Sequence, residues 1–551
     1  MKRPELLLPA GNLDRLKTAI LYGADAVYLG TPDMSLRVKS AFTLEDVLTG
    51  IEYAHSKGKK VYLTLNLFSH NKDIEKLPEF IETVRRVKPD GLIISDPGIM
   101  DFVKKEAPEL EIHVSTQANV CSWLTVNFWK NQGASLVVMA REVGFAELKE
   151  IREKCPDIKI EVFIHGSMCM TYSGRCLLSN FLAERGANQG SCAHSCRWGY
   201  KLKIKVKDGT EHEIEINENN KDLFDFFLEE EIRPGQLLPF EEDVAGSYIL
   251  NAKDLCLLPK LNEYIDIGID SFKVEGRNKT EFYAGSVARV YRAAIDDYLR
   301  DPQNWSADNY MDEINSIANR GYSLAFHEGR LTNLAHDYES TGSTSFYEYA
   351  GRVIEWVGDD LIFEAKNRLE AGDVLEFLSP FMRDPILIRL YEFDNVSKNK
   401  VETLIHAGQK PRIRIKASAF HLFDKEKIKE LLPTYSLIRK EKMLDESERL
   451  KVESRELSHQ LEGGLVREEK YDSKRKKYFK AKELGNGKIV PKTPRIGIDG
   501  CCGKGCNGCL PFWNDEKYAK ARKILKGKKI GEMLPSTPLL PPHQSLRALS
   551  K

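Results

Sequence analysis

The stretch CMTYSGRCLLSNFLAERGANQGSCAHSC places Cys169, Cys176, Cys192 and Cys196 close together, separated by six, fifteen and three residues. Thiols at this density can be disulfide partners, a metal cage, a nucleophile with bystanders, or ordinary core residues. The opening MKRPELLLPAGNLDRL has only a short apolar run, broken at Pro9, unlike a signal peptide. A cytoplasmic location is expected, where stable disulfides are rare, and the odd total of eleven cysteines agrees. Structural zinc sites usually pair cysteines about two to four residues apart, and only Cys192 and Cys196 do so. Iron–sulfur clusters take four thiolates at varied spacings, so the pattern favours a cluster over zinc. Arg175 and Arg197 offer charge to offset such thiolates. A catalytic thiol would need a base, for which His165 and His194 are near in sequence.

A second concentration, CCGKGCNGC, brings Cys501, Cys502, Cys506 and Cys509 within nine residues, with three glycines among them. Glycine allows the tight turns that aim several thiolates at one metal. This segment reads as a site for a second iron–sulfur cluster or for zinc, with a redox-active thiol patch as the alternative. Phe512 and Trp513 then precede KYAKARKILKGKK, with seven Lys or Arg in thirteen residues. Aromatics beside basic residues suit an RNA-gripping segment, and equally a basic helix packed on a neighbour.

The elements that must position these residues are short β-rich runs alternating with amphipathic helical stretches. The runs fall at 5–11, 25–30, 60–66, 90–96, 111–117, 135–141, 158–166 and 270–277. Most are apolar on consecutive positions, as strands covered on both faces are. Eight strands with helical crossovers predict a (β/α)8 TIM-like barrel over 1–300, with a doubly wound open sheet as runner-up. The seventh repeat is interrupted at 167–250 by the first cysteine segment and by KLKIKVKDGTEHEIEI, whose Asp208-Gly209 turn predicts a hairpin. An insertion after a barrel strand lies at the C-terminal mouth, where barrels place chemistry.

Downstream, 301–345 reads as a helical connection and 346–420 as a small antiparallel β-barrel with GDD and AGD turns. Mixed charge over 421–494 predicts a helical linker, followed by the Cys-rich segment at 495–530 and a disordered tail at 531–551. No apolar run approaches the roughly 20 residues of a bilayer span, so no membrane partner is expected. Lys+Arg and Asp+Glu balance at 82 each, so any nucleic-acid preference must come from local patches.

EVFIHGSMCMTYSGRCLLS, residues 161–179, resembles the signature of the collagenase-like peptidase family through Glu161, Phe163, Gly166, Ser167, Cys169, Gly174, Cys176 and Ser179. LLLPAGN, DAVYLG, CRWGY and LNAKDLCLLPKL…GIDSFKVEGR are similar to the same family, which covers 1 to about 300, and 346–418 resembles its C-terminal domain. The resemblance implies a [4Fe-4S] cluster on Cys169, Cys176 and Cys192, with Cys196 as fourth ligand and Cys256 as the alternative. It also implies oxygen-independent hydroxylation. The likeness is greatest to the branch that converts the tRNA wobble uridine to 5-hydroxyuridine with prephenate as co-substrate. A peptidase, a 23S ribosomal RNA cytidine hydroxylation factor and a noncatalytic RNA-binding maturation factor are the alternatives. The sequence shows no GxSxG elbow and no HExxH motif.

Strand ends supply the substrate candidates. Two carboxylates, as on prephenate, call for Arg or Lys donors, and Lys273, Arg277 and Arg141 qualify, with Gln117 beside them. His165, Lys273, Glu275 and Arg277 are the catalytic candidates, with rim ion pairs as the competing role for each. Trp198 and Tyr200, beside Arg197, are placed either to stack an exposed base or to cover the cluster.

Overall fold

The computed structural model describes residues 2–30, 42–66, 69–169, 171–172, 175–183, 192–197, 252–329, 335, 343, 345–390 and 412–442. It also gives the backbone of short strands at 226–229, 237–240, 242–243, 246–247, 393–395, 400–401 and 403–404. The expected Asp208-Gly209 hairpin, Trp198, Tyr200, the Cys501–Cys509 cluster, the basic stretch behind it and the tail lie outside the described residues.

Seven strands pair in parallel and in chain order: β1 (Glu5–Pro9), β2 (Ala26–Gly30), β3 (Lys60–Leu65), β4 (Gly91–Ile94), β5 (Glu111–Val114), β6 (Leu136–Val138) and β7 (Lys159–Ser167). The eighth, Ser271–Val274, pairs in parallel with both β7 and β1 and closes the sheet. This is the (β/α)8 TIM-like barrel, and closure removes the open-sheet alternative. The helices start where their caps dictate. Asn12 accepts from the Arg15 N–H ahead of α1 (Leu13–Leu21), and Thr43 forms a capping box with Asp46 ahead of α2 (Leu44–Ser56). Helix Leu77–Val87 buries Leu77, Phe80, Ile81, Val84 and Val87 at helical spacing. Among the described residues no helix is long and apolar enough to cross a membrane.

Just after the insertion, Asp254–Cys256 runs antiparallel to β7 and parallel to Tyr322–Ser323, extending the sheet outside the closed barrel. Among the described residues, the stretch expected as a helical connection supplies one helix, Asp308–Asn315, and a strand.

A separate curled antiparallel sheet follows, with its own core around Phe363, Phe377, Ile413 and Ile438. It runs past the expected boundary at 420. Leu437–Glu441 is an inner strand between Tyr347–Val357 and Val374–Leu378. Charge composition suggested a solvated linker there, but Arg439 is buried and bonded to Glu376 at 2.7 Å and to Ser316 at 2.8 Å. Paired charge is compatible with a sheet interior, and composition cannot show the pairing. The barrel meets this sheet through Tyr22, whose hydroxyl donates to the Leu378 carbonyl and accepts from the Leu437 N–H at 2.8 Å.

Candidate active site at the barrel mouth

Side chains alternate along a strand, so every second residue of β3, β5, β7 and the closing strand faces the barrel interior. Glu161 and Lys273 meet there, with Nζ 2.7 Å from Oε1. Ser271 donates to the other Glu161 oxygen at 2.7 Å, and Tyr62 donates to Glu5 at 2.9 Å. Burial pulls the Lys273 pKa below its ordinary value, with Glu161 opposing that shift. Burial, reinforced by Glu161, raises that of Glu5. The Lys273 ammonium also lies 4.6 Å from the Tyr28 ring centroid and 5.7 Å from that of Phe163.

These two rings gather the other cations. Arg277 sits 5.7 Å from the Tyr28 centroid and donates to Thr64 Oγ1 at 3.0 Å. Arg141 stacks 4.0 Å from the Phe163 centroid and donates to the Ser167 carbonyl at 2.7 Å. The three cationic candidates therefore share one aromatic floor near the strand C-termini. Gln117 follows β5 in a short turn, its N–H on Ser115 Oγ at 3.3 Å, and Asn66 donates to the same hydroxyl at 3.2 Å. Asn66 Oδ1, Gln117 Oε1 and Arg141 Nε have no hydrogen-bond partner among the described residues. A cavity of about 320 Å³ opens at the opposite, N-terminal end. Its rim is ion-paired (Lys2 with Asp270, Lys159 with Glu111), as suits the end of a barrel that serves stability.

The cysteine segment leaves β7 at the mouth. Gly166 has φ +119°, and a Cβ there would lie 2.6 Å from the Glu275 carbonyl oxygen, so only glycine fits. Arg175 donates to Asn119 Oδ1 at 2.8 Å and to the Gln117 carbonyl at 3.4 Å, tying Cys176 to the end of β5. Ser179 accepts from the Ala193 N–H at 2.8 Å, joining the helix Leu178–Ala183 that follows Cys176 to the Cys192–Cys196 turn. Cys169 is exposed, Cys176, Cys192 and Cys196 are half-buried, and none is in a disulfide. Among the described residues no three His, Cys, Asp or Glu side chains are arranged to hold a metal ion. The four thiols suit a cluster by donor chemistry and by place, but are not gathered about one point. Cys256 lies on the added strand Asp254–Cys256 beside β7, 2% exposed, with its sulfur 3.6 Å from the Tyr291 hydroxyl.

His165 lies near the mouth end of β7, but its side chain is turned into the surrounding wall. The register shifts between Lys273 and Val274, and this irregularity takes His165 out of the inward series of Glu161 and Phe163. It is 1% exposed, ringed by Tyr283, Tyr291 and Tyr322, and burial pushes its pKa down to about 3. Its imidazole is thus enclosed among tyrosines rather than set on the cationic floor. Glu275 stitches the wall with its backbone: its N–H donates to the His165 carbonyl at 2.9 Å and its carbonyl accepts from Tyr283 at 2.7 Å. Sequence reasoning had given no chemical role to Glu161, Ser271 or Tyr28. The available signal was a lone carboxylate at an inward position of the apolar run IKIEVFIHG.

Residues 11–336 match the model of peptidase family U32. The chain belongs to this family. It is 38% identical over 403 residues to "tRNA hydroxylation protein P" of Escherichia coli (strain K12), spanning 69% of this chain and 87% of that protein. It is 37% identical over 383 residues to "tRNA hydroxylation protein P1" of Bacillus subtilis (strain 168), spanning 69% and 84%. A U32 relative named "Collagenase", from Porphyromonas gingivalis, is 30% identical over 384 residues, spanning 67% and 84%.

Proposed function

We propose that this U32 protein is a cytoplasmic iron–sulfur enzyme that hydroxylates the wobble uridine of tRNA to 5-hydroxyuridine without molecular oxygen, using prephenate. The tRNA hydroxylation role follows the names of its relatives. The observation that carries the reading is the grouping of Lys273, Arg277 and Arg141 on the Tyr28–Phe163 floor. Guanidinium groups pair with carboxylates in a bidentate manner, and two arginines beside an ammonium match a dicarboxylate. Glu161 holds Lys273 in place and supports its charge. Cys169, Cys176, Cys192 and Cys196 would hold a [4Fe-4S] cluster, which when bound supplies one-electron chemistry at the mouth. A thiol peptidase based on Cys169 and His165 is disfavoured, because His165 is walled in by tyrosines.

The test is nucleoside mass spectrometry on unmodified tRNA incubated with anaerobically purified protein, with and without prephenate. A uridine heavier by one oxygen, formed only with prephenate, is expected. Arg277→Ala should raise the half-saturating prephenate concentration at least tenfold, or about 1.4 kcal/mol. Product independent of prephenate, or product on ribosomal RNA cytidine alone, would overturn the reading. Cleavage of denatured collagen by a cluster-free preparation would instead favour the peptidase.

A further inference from the structure

Resting on the RNA reading above, we infer that Asn66 and Gln117 form a nucleoside-reading subsite, separate in chemistry from the cationic floor. Asn66 and Gln117 are 7% and 9% exposed, yet Asn66 Oδ1 and Gln117 Oε1 have no hydrogen-bond partner among the described residues. A buried acceptor left empty is costly, and a ligand donor is the natural means of satisfying it. Their shared contact, Ser115 Oγ, receives the Asn66 side-chain amide and the Gln117 backbone N–H, which fixes the Asn66 side chain relative to the Gln117 backbone. Pre-set amides of this kind are recognition groups rather than flexible surface.

Their chemistry decides the ligand class. The two open atoms are amide oxygens, which call for hydrogen-bond donors on the ligand. A ribonucleoside brings two suitable donors, the imide N–H of a uracil ring and the ribose 2′-hydroxyl, and asparagine and glutamine are the usual readers of base edges. The placement agrees. Thr64, which holds Arg277, precedes Asn66 by two residues on the same strand face, a spacing of about 7 Å. A base on Asn66 and Gln117 would thus lie beside a carboxylate held by Arg277. Arg175, next to Cys176, reaches the Gln117 carbonyl and links this subsite to the cysteine segment.

The experiment compares binding of three RNA hairpins by the full-length protein: one with uridine at the target position, one with 3-methyluridine and one with 2′-deoxyuridine. Wild type is expected to bind each altered hairpin about tenfold more weakly, the price of one lost hydrogen bond to a buried group. The Asn66→Ala, Gln117→Ala double variant should bind all three within about threefold of one another. Asn66→Asp, which keeps an acceptor, should retain discrimination against 3-methyluridine. Equal binding of the three hairpins by wild type, or undiminished discrimination in the double variant, overturns the subsite. Failure of wild type to bind any hairpin would instead remove the RNA reading and the subsite with it. The wild-type comparison needs no variant to fold.

Discussion

The Lys273 ammonium lies 2.7 Å from the Glu161 carboxylate inside the barrel, and neither side chain is more than 5% exposed. Two charges so buried depend on each other. Lys273→Met leaves an uncompensated carboxylate and should cost about 3–5 kcal/mol in urea unfolding. The double variant Lys273→Met, Glu161→Met should recover most of that loss. Glu161→Gln removes the influence that raises the Lys273 pKa. The unfolded chain then binds more protons than the native one below the ordinary lysine pKa, so its deficit should shrink as pH rises. A deficit independent of pH would show that Lys273 is not the group responding.

His165 predicts acid sensitivity. Its pKa falls to about 3 in the fold, against an ordinary value of 6.5. Between these values the unfolded chain binds a proton that the native chain does not, so stability falls as pH drops. The loss attributable to His165 from pH 6.5 to 4.5 should be about 2 kcal/mol. Urea midpoints for wild type and His165→Phe across that range provide the check, because the difference between them isolates this group from titrating carboxylates.

Tyr22 is one of the residues that attach the curled sheet to the barrel. Its hydroxyl serves both the Leu378 carbonyl and the Leu437 N–H, at a buried position. Tyr22→Phe leaves both backbone groups unpaired and should destabilise the protein by about 2–4 kcal/mol in thermal or urea unfolding. Arg277 and Lys273 are untouched, so the half-saturating prephenate concentration should not move.

The cysteines differ in their expected iron dependence. Wild type purified anaerobically should carry about four irons per chain on the proposed cluster site at Cys169–Cys196. Cys176→Ala should lose them, whereas Cys256→Ala should keep them, since Cys256 faces Tyr291 in the wall. Iron retained in Cys176→Ala and lost in Cys256→Ala would exchange their roles. About twice the iron, halved on removing residues 495–551, would place a second cluster on Cys501–Cys509.

Much of the framework was legible in local sequence. LLL at 6–8 and VYL at 27–29 are buried on consecutive positions, as strands covered on both faces require. Asn12 and Thr43 mark helix starts because a cap bonds to residues only a few positions away. The four clustered thiols and the cationic strand ends were visible because composition and spacing are local properties. Tertiary structure alone decided the rest. Closure of the barrel depends on Ser271–Val274 meeting both β1 and β7. The Glu161–Lys273 pair joins positions 112 residues apart, and no periodicity encodes such a meeting. His165 shares the parity of Glu161 and Phe163 in sequence, but one register shift turned it into the tyrosine-lined wall. Arg439 looked like solvated charge until a sheet supplied Glu376 as its partner. In each case the deciding energy is an interaction between distant segments, which exists only once the chain has brought them together.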